Sequence, residues 1–496
     1  MVQHSLSEYA RALGPVVIEA AVGDDPTITQ VTYDSREVGP GALFICKGQH
    51  FSPVYLAQAI QRGAVGYLSE VDRQVATLPR ILVNDMRTAI AGAGTLFYDR
   101  EWDQLTILGV TGTKGKSTTI FLLHSILAAW QEATGGPRPG IISSIRFDDG
   151  VAAAGSEKTT PETLELYRHL HNAVSAGMRY MCLEVSSQGL RYQRVGNITF
   201  EVGAFLNIAE DHISPIEHAD MEDYLSAKLA LFAQSRVAVV NARTDQYDRV
   251  MSSAAQCERV VTYALGGGSL SAEVVETSAL GARFRVRSGD GSAADYTFQL
   301  PGEFNVENAL AAIAIARELG VGDQWIRAGL AATRVPGRME VFRLKRGTTV
   351  IVDYAHQKLS VTALLECVRR DYPQAPITMM FGSGGAKGLN RRQELGTIAG
   401  EVATEIYLTE DDPGEVPIED ICEDIDRYVR ATGHKPAQIV PDRPQAIERA
   451  ITEASDDGLV LLLGKGAETW QLRGIAPVTV PSDVEVVKAY IARVDQ

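Results

Sequence analysis

The chain of 496 residues is longer than one hydrophobic core usually organises, so we expect about two to four domains. Hydrophobic residues at 45% and charged residues at 22% are ordinary for globular proteins, which argues against long disordered or fibrous regions. The formal net charge of −15 at pH 7 disfavours general nucleic-acid binding, because a surface that neutralises phosphates must be basic.

The cysteines and the N-terminal residues indicate in which cellular compartment the protein is expected. The five cysteines lie far apart and include no CxxC pair, so the sequence predicts neither a zinc site nor a disulfide framework. The first residues, MVQHSLSEYARALG, lack the basic and apolar regions of a signal peptide, and no run of about 18 apolar residues occurs. We therefore expect a cytoplasmic protein that binds neither a membrane nor nucleic acid.

The first two thirds of the chain read as α/β. Residues 1–100 contain the short apolar segments ITQVTYD, GALFIC, AVGYL and RILV and one helical pattern, VYLAQAIQRGA, which predict a small α/β domain. From LTILGVTG to about residue 319, strand-like runs alternate with helical patterns, which favours a mainly parallel sheet with helices on both faces. The Gly- and Ser-punctuated stretch 264–300 predicts antiparallel strands that decorate this domain.

A second domain junction is predicted near TRVPGRMEV. After it, the apolar runs in TTVIVDYA, ITMMFGSGG, EIYLTEDDPG and LVLLLGKG each end in a polar or glycine-rich turn. In open α/β sheets, ligands bind at such carboxyl ends of strands. These turns are therefore candidate parts of a binding site.

The stretch GVTGTKGKS, Gly109 to Ser117, predicts a phosphate-binding loop. It is a variant of the G-x-x-x-x-G-K-[ST] pattern, because Val110 stands at the first glycine position and Gly109 and Gly112 flank it. Glycines let backbone N–H groups turn towards phosphate oxygens, and the positive end of the following helix dipole adds to the attraction. Lys116 would contact the β- and γ-phosphates and the Ser117 hydroxyl would ligate Mg²⁺. A glycine-rich turn with incidental lysines is the alternative interpretation.

Two further polar residues follow predicted strands. Glu184 ends the run before SSQGL, and His212 follows the run in LNIAEDH. A carboxylate and an imidazole near a triphosphate suit a second metal ion, which would screen repulsion between ATP and an anionic acceptor. Alternatively, Glu184 caps a helix and His212 makes a hydrogen bond within a turn.

Together with other motifs, these residues resemble a known family. The motifs are, in chain order, YDSREVGPGALFICKG, GVTGTKGKST, KTTPET, EVSSQGL, DHI, EDYLSAKLALF, FNVENALAA, RVPGRMEV and VDYAH. In this combination they are similar to the Mur ligases, most closely the MurE type, over nearly the whole chain. The resemblance implies three domains: a UDP-substrate-binding domain (1–103), a central ATP-binding domain with a P-loop parallel sheet (104–333) and a C-terminal Rossmann-like amino-acid-binding domain (334–496).

The resemblance implies an ATP-dependent carbon–nitrogen ligase of peptidoglycan synthesis, with ATP and Mg²⁺ as cofactors. Its acceptor would be UDP-N-acetylmuramoyl-L-alanyl-D-glutamate, and its second substrate a free amino acid. Because a carboxylate is a poor electrophile, ATP phosphorylates it, and an amine attacks the resulting acyl phosphate. The protein's task is positioning and charge neutralisation. We expect a monomer.

The resemblance also assigns residues to the site by motif position. Nucleotide contacts are expected from Gly112, Thr113, Lys114, Gly115, Lys116, Ser117, Thr118, Asn305, Arg338 and Asp353. Contacts to the UDP-muramoyl-dipeptide are expected from Ser35, Thr159, Thr160, Ser186 and Arg194. The expected catalytic residues are Lys116, Glu184, His212 and Lys228, and the expected metal site comprises Ser117, Glu184, His212 and Lys228.

Lys228 is expected to be carbamylated. It lies in the middle of a predicted helix, where a free ammonium would face the metal cluster. Addition of CO₂ converts the ammonium into a carboxylate-like ligand. A lysine that reaches out to solvent is the alternative.

The chain departs from the family pattern at two places. Gln188 stands after the paired serines, where family members often have His, and Gln357-Lys358 stands where Thr-Pro is common. Neither change removes a predicted phosphate or metal contact, but both bear on how the substrate is held nearby.

The turn TEDDPGEVP predicts the amino acid that is added. MurE ligases that add meso-diaminopimelate typically carry Asp-Asn-Pro-Arg here, and that arginine can grip the distal carboxylate in a bidentate pair. This chain has Asp411-Asp412-Pro413-Gly414, and with Glu468 of GKGAET this turn suits the ε-ammonium of L-lysine. Lys387 and Arg391 remain to hold the α-carboxylate.

Several alternatives stay open at this point. The added amino acid could be L-ornithine or meso-diaminopimelate, and the acidic turn could be merely solvated. Folylpolyglutamate synthase shares the GTKGKS turn, but it lacks a preceding domain that carries DSREVGPGALF. An ATP-gated binding protein would leave Lys228, Arg338 and the GKGAE turn without a role.

Overall fold

A computed structural model describes residues 3–48, 51–75, 78–210, 213, 217–278, 281–385 and 389–494. The chain forms two compact units. The first runs to Ser271 and includes Leu310–Gly329, and the second comprises Ala272–Ala309 and the chain from Leu330 onward. Both units combine helices with largely parallel sheets, which confirms the predicted α/β class. The domain boundaries predicted after residues 103 and 333 stay predictions.

The N-terminal part of the first unit contains a five-stranded sheet. In spatial order its strands are Val17–Ala21, Arg80–Val83, Ala64–Ser69, Ala42–Ile45 and Gln30–Thr32. All neighbours are parallel except the first pair. A short antiparallel pair, His4–Ser5 with Thr27–Ile28, lies outside this sheet. The helices here are Leu6–Leu13, Pro53–Gln61 and Met86–Phe97, with 3₁₀ turns at Gly14–Val16 and Glu101–Gln104.

A larger sheet follows in the same unit. Its strands, in spatial order, are Ala153–Gly155, Arg146–Asp148, Gly140–Ile142, Tyr180–Glu184, Thr106–Thr111, Phe200–Phe205, Ser235–Asn241 and Arg259–Leu265. From Gly140–Ile142 onward each pair of neighbours is parallel, as predicted, and the first two strands are antiparallel. The helices between these strands are Lys116–Thr134, Thr163–Ser175, Ser187–Arg191, Met221–Leu229 and Tyr247–Ala254, with a 3₁₀ turn at Phe232–Gln234 and a short strand at Gly267–Gly268.

The helices Met86–Phe97 and Thr163–Ser175 pack in one buried core of the first unit. Phe97, Tyr167 and Trp102 belong to this core, and the ring centroids of Trp102 and Tyr167 are 4.2 Å apart. Aromatic side chains bury a large apolar area, so this cluster joins the N-terminal part to the central sheet.

The Gly- and Ser-punctuated stretch forms three strands, Leu270–Ser278, Gly281–Ser288 and Ala293–Phe298. The last two are antiparallel and pair Ala282 with Phe298, which confirms the predicted strand orientation. Side chains along them alternate between buried and exposed, as expected for a sheet with one covered face. The helices Glu303–Glu318 and Asp323–Ala332 follow.

The second unit contains a six-stranded sheet. In spatial order its strands are Glu340–Arg343, Thr349–Asp353, Leu459–Leu463, Ile377–Phe381, Glu405–Leu408 and Gln438–Ile439. Only the edge strand Glu340–Arg343 is antiparallel to its neighbour. Five helices, Lys358–Asp371, Leu389–Val402, Ile418–Ala431, Arg443–Glu453 and Asp483–Val494, and the hairpin strands Trp470–Arg473 and Ala476–Thr479 complete the unit.

Two separate cores show that helices cover both faces of this sheet. Alternate residues of one strand point to opposite faces. Accordingly, Leu461 joins the core formed with the helices Lys358–Asp371, Leu389–Val402 and Ile418–Ala431, whereas Leu462 joins the core formed with Arg443–Glu453 and Asp483–Val494. This layering is the predicted Rossmann-like arrangement.

No helix within the described ranges is long and apolar enough to cross a membrane.

A substitution at Gly329 tests the helix packing of the first unit. Gly329 lies on the helix Asp323–Ala332, and an added Cβ atom would lie 2.3 Å from the Cα atom of Ile126 on the helix Lys116–Thr134. Helix propensity alone would favour alanine by about 1 kcal/mol. Because a backbone cannot move aside cheaply, we expect Gly329→Ala instead to lower the free energy of unfolding by about 2 kcal/mol.

Urea unfolding measures this change, and Ala328→Ser at the neighbouring exposed position is the control. A Gly329→Ala variant at least as stable as the wild type would contradict the packing described here.

Candidate active site

The phosphate loop connects a strand to a helix, as predicted. The strand Thr106–Thr111 leads into the loop, and the helix Lys116–Thr134 follows it. Gly115 caps this helix with φ of +87°, a conformation that favours glycine. A helix N-terminus attracts anions, because its first backbone N–H groups point away from the helix and carry the positive end of the dipole.

The amide of Asn207 clamps the loop. Its Oδ1 accepts from the backbone N–H of Lys114 at 2.8 Å, and its Nδ2 donates to the backbone oxygen of Lys114 at 3.1 Å. The backbone oxygen of Asn207 also accepts from the N–H of Thr113 at 3.0 Å. Sequence reasoning missed this residue, although an amide two positions after the strand Phe200–Phe205 was a usable signal.

Two lysine ammonium groups meet at this loop. Lys116 Nζ donates to the backbone oxygens of Gly112 and Thr113 at 3.1 and 3.2 Å. Lys228 Nζ donates to the same Gly112 oxygen at 2.8 Å and lies 4.6 Å from the centroid of the Tyr224 ring. Lys228 is only 1% exposed, so the side chain does not reach out to solvent. The arrangement concentrates positive charge beside the loop.

Ser117, in the first turn of the helix Lys116–Thr134, lies next to Glu184, the last residue of the strand Tyr180–Glu184. The Ser117 hydroxyl donates to Glu184 Oε1 at 3.3 Å. Glu184 Oε2 accepts from the backbone N–H of Ser144 at 2.9 Å, and the hydroxyls of Ser117 and Ser144 are 3.0 Å apart. Ser144 was missed because serine after a short apolar run carries little signal. The result is a compact set of oxygen atoms around a buried carboxylate.

The predicted metal site is only partly described. His212 lies outside the described residues. Within the described ranges, no group of three or more His, Cys, Asp and Glu side chains is placed to hold a metal ion. A different histidine, His218, is fully buried between Ser187 Oγ at 3.0 Å and Asp223 Oδ2 at 3.2 Å. The sequence offered no distinctive pattern for it.

Thr160, Ser186 and Arg194 come together in the structure. Thr160 Oγ1 accepts from the backbone N–H of Ser186 at 2.9 Å, and Arg194 Nη1 donates to the Thr160 backbone oxygen at 3.2 Å. Arg194 also pairs with Glu162 at 2.8 Å. Burial by itself would raise the pKa of Glu162, but the Lys47 hydrogen bond and the Arg194 charge lower it to about 2.

The other residues predicted to bind the nucleotide or the UDP-muramoyl-dipeptide lie in different parts of the two units. Ser35 is buried and donates to Gln58 Oε1 at 2.9 Å, while Thr159 is half-buried. Thr118 is buried in the first turn of the helix Lys116–Thr134. In the second unit, Asn305 is buried and its Nδ2 donates to the backbone oxygen of Pro301 at 2.7 Å.

Asp353 and Arg338 lie at the carboxyl end of the strand Thr349–Asp353. Asp353 accepts from the backbone N–H groups of Met339 and Ala355 at 2.7 and 2.8 Å. Burial raises the pKa of the Asp353 carboxyl, and the Arg338 charge opposes that rise. The Arg338 guanidinium lies 4.1 Å from the centroid of the Tyr354 ring, and the Tyr354 hydroxyl donates to Glu468 Oε1 at 2.8 Å.

The acidic turn surrounds a buried lysine. Lys465, 2% exposed, lies 3.0 Å from Asp412 Oδ1 and 2.6 Å from Glu468 Oε2, and its Nζ lies 4.2 Å from the Trp470 ring centroid. Burial raises the pKa of the nearby Asp411 to about 6, although the Arg443 and Lys465 charges oppose it. Asp411, Asp412 and Glu468 therefore form one cluster with Lys465. Lys465 at its centre was missed, because GKG was interpreted only as a turn.

The residues predicted to hold the α-carboxylate are less defined. Lys387 lies outside the described residues, and Arg391 is half-buried on the helix Leu389–Val402. The neighbouring Arg392 is buried and donates to the backbone oxygen of Gly385 at 2.6 Å. It thereby braces the glycine-rich turn after the strand Ile377–Phe381.

The strand–loop–helix geometry around Lys116 places the chain among P-loop nucleotide-binding proteins. Residues 110–316 match the Mur ligase middle domain, and residues 337–466 match the Mur ligase glutamate ligase domain. The chain belongs to the Mur ligase family of ATP-dependent ligases.

Its relatives agree with this assignment over nearly the whole chain. UDP-N-acetylmuramoyl-L-alanyl-D-glutamate–L-lysine ligase of Enterococcus faecalis is 36% identical, covering 94% of this chain and 92% of the relative. UDP-N-acetylmuramyl-tripeptide synthetase of Bifidobacterium longum is 37% identical, covering 91% and 89%. A solved structure of UDP-N-acetylmuramoyl-L-alanyl-D-glutamate–2,6-diaminopimelate ligase superposes with a TM-score of 0.65 at 26% identity, covering 99% of both chains.

The raised pKa of Asp411 predicts a pH-dependent stability. Its carboxyl ionises near pH 6 in the folded protein and near its ordinary value of 3.8 when unfolded. Between these values the folded state holds the extra proton, so the wild type loses stability as pH rises. Asp411→Asn lacks this titration. Its stability relative to the wild type should therefore rise by about 2 kcal/mol between pH 4 and pH 7.5.

Chemical unfolding at the two pH values tests this difference. Asp456→Asn, at a side chain that is 78% exposed, is the control and should show no such change. If the free energy of unfolding depends on pH equally in the wild type and in Asp411→Asn, the raised pKa of Asp411 is contradicted.

Proposed function

We propose that this protein joins L-lysine to the D-glutamate of UDP-N-acetylmuramoyl-L-alanyl-D-glutamate, with ATP as the phosphoryl donor. The observation that carries the choice of lysine is the charge of the acidic turn. Three carboxylates, Asp411, Asp412 and Glu468, surround the ammonium of Lys465. The nearby Arg443 guanidinium is paired with Asp483, so two formal negative charges remain in the cluster. Such a cluster attracts the second ammonium of a diamino acid and repels a distal carboxylate. The names of several relatives specify the same amino acid.

ATP supplies the phosphoryl group that turns the glutamate carboxylate into an acyl phosphate. The chain's own contribution is electrostatic and positional. Lys116 holds positive charge against the Gly112 carbonyl, next to the N-terminus of the helix Lys116–Thr134. Developing negative charge on a transferred phosphoryl group would be stabilised there. Asn207 keeps the loop in this conformation through its two hydrogen bonds to Lys114.

The oxygen set beside the loop fits Mg²⁺. Ser117 Oγ and Glu184 Oε1 are 3.3 Å apart, and hard divalent cations prefer hydroxyl and carboxylate ligands. Glu184 is only 2% exposed, and a buried carboxylate is stabilised by a cation. We propose Ser117, Glu184, His212 and Lys228 as the residues of the metal sites.

The remaining predicted roles belong to the same proposal. The UDP-muramoyl-dipeptide would be held by Ser35, Thr159, Thr160, Ser186 and Arg194, and ATP also by Asn305, Arg338 and Asp353. Lys387 and Arg391 would bind the α-carboxylate of the amino acid. The predicted monomeric state, cytoplasmic location and absence of nucleic-acid and membrane partners stay predictions.

An amino-acid panel tests the proposal directly. With ATP and UDP-N-acetylmuramoyl-L-alanyl-D-glutamate, we expect ADP release to be fastest with L-lysine. The kcat/KM for L-lysine should exceed that for meso-diaminopimelate by at least about ten-fold, because the acidic turn repels the extra carboxylate. Asp412→Asn should narrow this ratio, while Glu415→Gln, at an exposed carboxylate three positions further along, should leave it unchanged.

Faster product formation with meso-diaminopimelate would contradict the assignment of lysine. Faster product formation with L-ornithine would agree with a site that attracts a second ammonium, but would show that the preferred amino acid has a side chain shorter than that of lysine.

Carbamylation of Lys228 is a separate prediction. The intact enzyme should be heavier by one CO₂, and removal of bicarbonate should lower its activity. Lys228→Ala should reduce the rate by about 100-fold, because a group next to the transferred phosphoryl is lost. Added short-chain carboxylates should restore part of that rate.

Lys488→Ala, at a lysine that is 60% exposed, is the control for these measurements. An unmodified Lys228 together with an active Lys228→Ala variant would contradict the prediction.

A further inference from the structure

A hairpin near the end of the chain packs on the acidic turn. Its strands Trp470–Arg473 and Ala476–Thr479 form a two-stranded sheet, with Arg473 opposite Ala476, and its outer strand is exposed. Ile475 at the tip is 87% exposed. An isolated two-stranded hairpin is at best marginally stable in water. Its conformation therefore depends on what the inner strand contacts.

Backbone and charged contacts join the inner strand to the turn. The N–H of Gly414 donates to the backbone oxygen of Leu472 at 2.9 Å, and the N–H of Gly474 donates to that of Gly414 at 2.8 Å. Arg473 makes two parallel bonds to the buried carboxylate of Glu410, at 2.9 and 2.7 Å. Bidentate pairs of this kind fix geometry as well as adding energy. The turn and the hairpin therefore hold one another in register.

Asp412 receives most of this support. Its φ of +51° lies in the left-handed region, which is strained for a residue with a Cβ atom. Its backbone N–H donates to Gln471 Oε1 at 2.8 Å. Its Oδ1 accepts from the backbone N–H of Leu472 at 2.9 Å and from Lys465 Nζ at 3.0 Å. These contacts set both the backbone conformation of Asp412 and the direction of its carboxylate.

Gln471 is held in its position at an energetic cost. The residue is fully buried, and its Nε2 has no hydrogen-bond partner among the residues that the structure describes. A buried amide group without a partner is unfavourable, and an apolar side chain of equal size would avoid the penalty. Because the Asp412 N–H is a donor, only the amide oxygen can face it. The amide thus serves the conformation of Asp412 rather than the stability of the core.

We propose that the hairpin determines which diamino acid the enzyme accepts, and that Gln471 is the positioning residue through which it acts. The proposal rests on the proposed function, because it takes the acidic turn to be the site of the incoming ammonium. Gln471 holds the Asp412 backbone in its strained conformation, and Arg473 locks the hairpin to the turn. The direction of the Asp412 carboxylate, and with it the distance at which a second ammonium is bound, follows from these two contacts.

Steady-state kinetics of Gln471→Met tests this role. Methionine keeps the volume of the side chain but cannot accept the Asp412 N–H. We expect the KM for L-lysine to rise about ten-fold, the change that loss of one such hydrogen bond produces. The kcat and the KM values for ATP and the UDP-muramoyl-dipeptide should change by less than about two-fold, because a positioning effect confined to the turn leaves their contacts intact. The preference for L-lysine over L-ornithine should shrink.

Two further variants distinguish an effect of the hairpin on the position of Asp412 from an effect on folding. Arg473→Gln removes the two bonds to the buried Glu410 carboxylate and should shift the same selectivity ratio in the same direction. Gln374→Met, at an exposed glutamine before the amino end of the strand Ile377–Phe381, is the matched control and should leave every constant unchanged.

The outcomes distinguish this proposal from the proposed function. If the wild type releases no ADP with L-lysine and the UDP-muramoyl-dipeptide, the proposed function is wrong. If the wild type is active but Gln471→Met and Arg473→Gln keep the wild-type KM and selectivity, the hairpin does not position the turn. A fall in kcat with all substrates, together with a lower melting temperature and unchanged selectivity, would show a purely structural role and also overturn the proposal.

Discussion

Parallel strand pairing is the constraint on which both candidate sites depend. When strands run parallel, the residues that follow them emerge at the same edge of the sheet. In the first unit this brings the phosphate loop after Thr111 next to Glu184 and Asn207, although the three lie far apart in sequence. In the second unit it gathers the turns after Asp353, Leu463 and Leu408. The chemistry-bearing side chains lie in those turns.

The two edges differ in charge, and each suits a different chemical group. The phosphate loop places Lys116 beside the N-terminus of a helix, an arrangement that favours phosphate. The turn of the second unit gathers three carboxylates around Lys465, an arrangement that favours a further ammonium. Neither property follows from the overall charge of −15, because local side-chain placement rather than net charge determines what a cleft attracts.

At both sheet edges, residues that do not themselves contact a substrate hold the site residues in position. Asn207 clamps the phosphate loop, Ser144 holds the Glu184 carboxylate, and Gln471 holds Asp412. Each acts through neutral hydrogen bonds to a backbone or carboxylate atom. Neutral supports of this kind fix a charged group without altering the charge of the site, which preserves the electrostatic match to the substrate.

The sequence by itself determined the α/β class, the strand–loop–helix around Lys116 and the acidic character of the turn at Asp411 and Asp412. Hydrophobic periodicity, glycine spacing and charge are local properties, so they can be recognised along the chain. Only the tertiary structure decided that Lys465 lies inside the acidic cluster, that Lys228 faces Gly112, and that Gln471 positions Asp412. These pairs are separated by 53, 116 and 59 positions. A contact over such a separation exists only after the sheet has aligned its strands, because no local pattern encodes the partner.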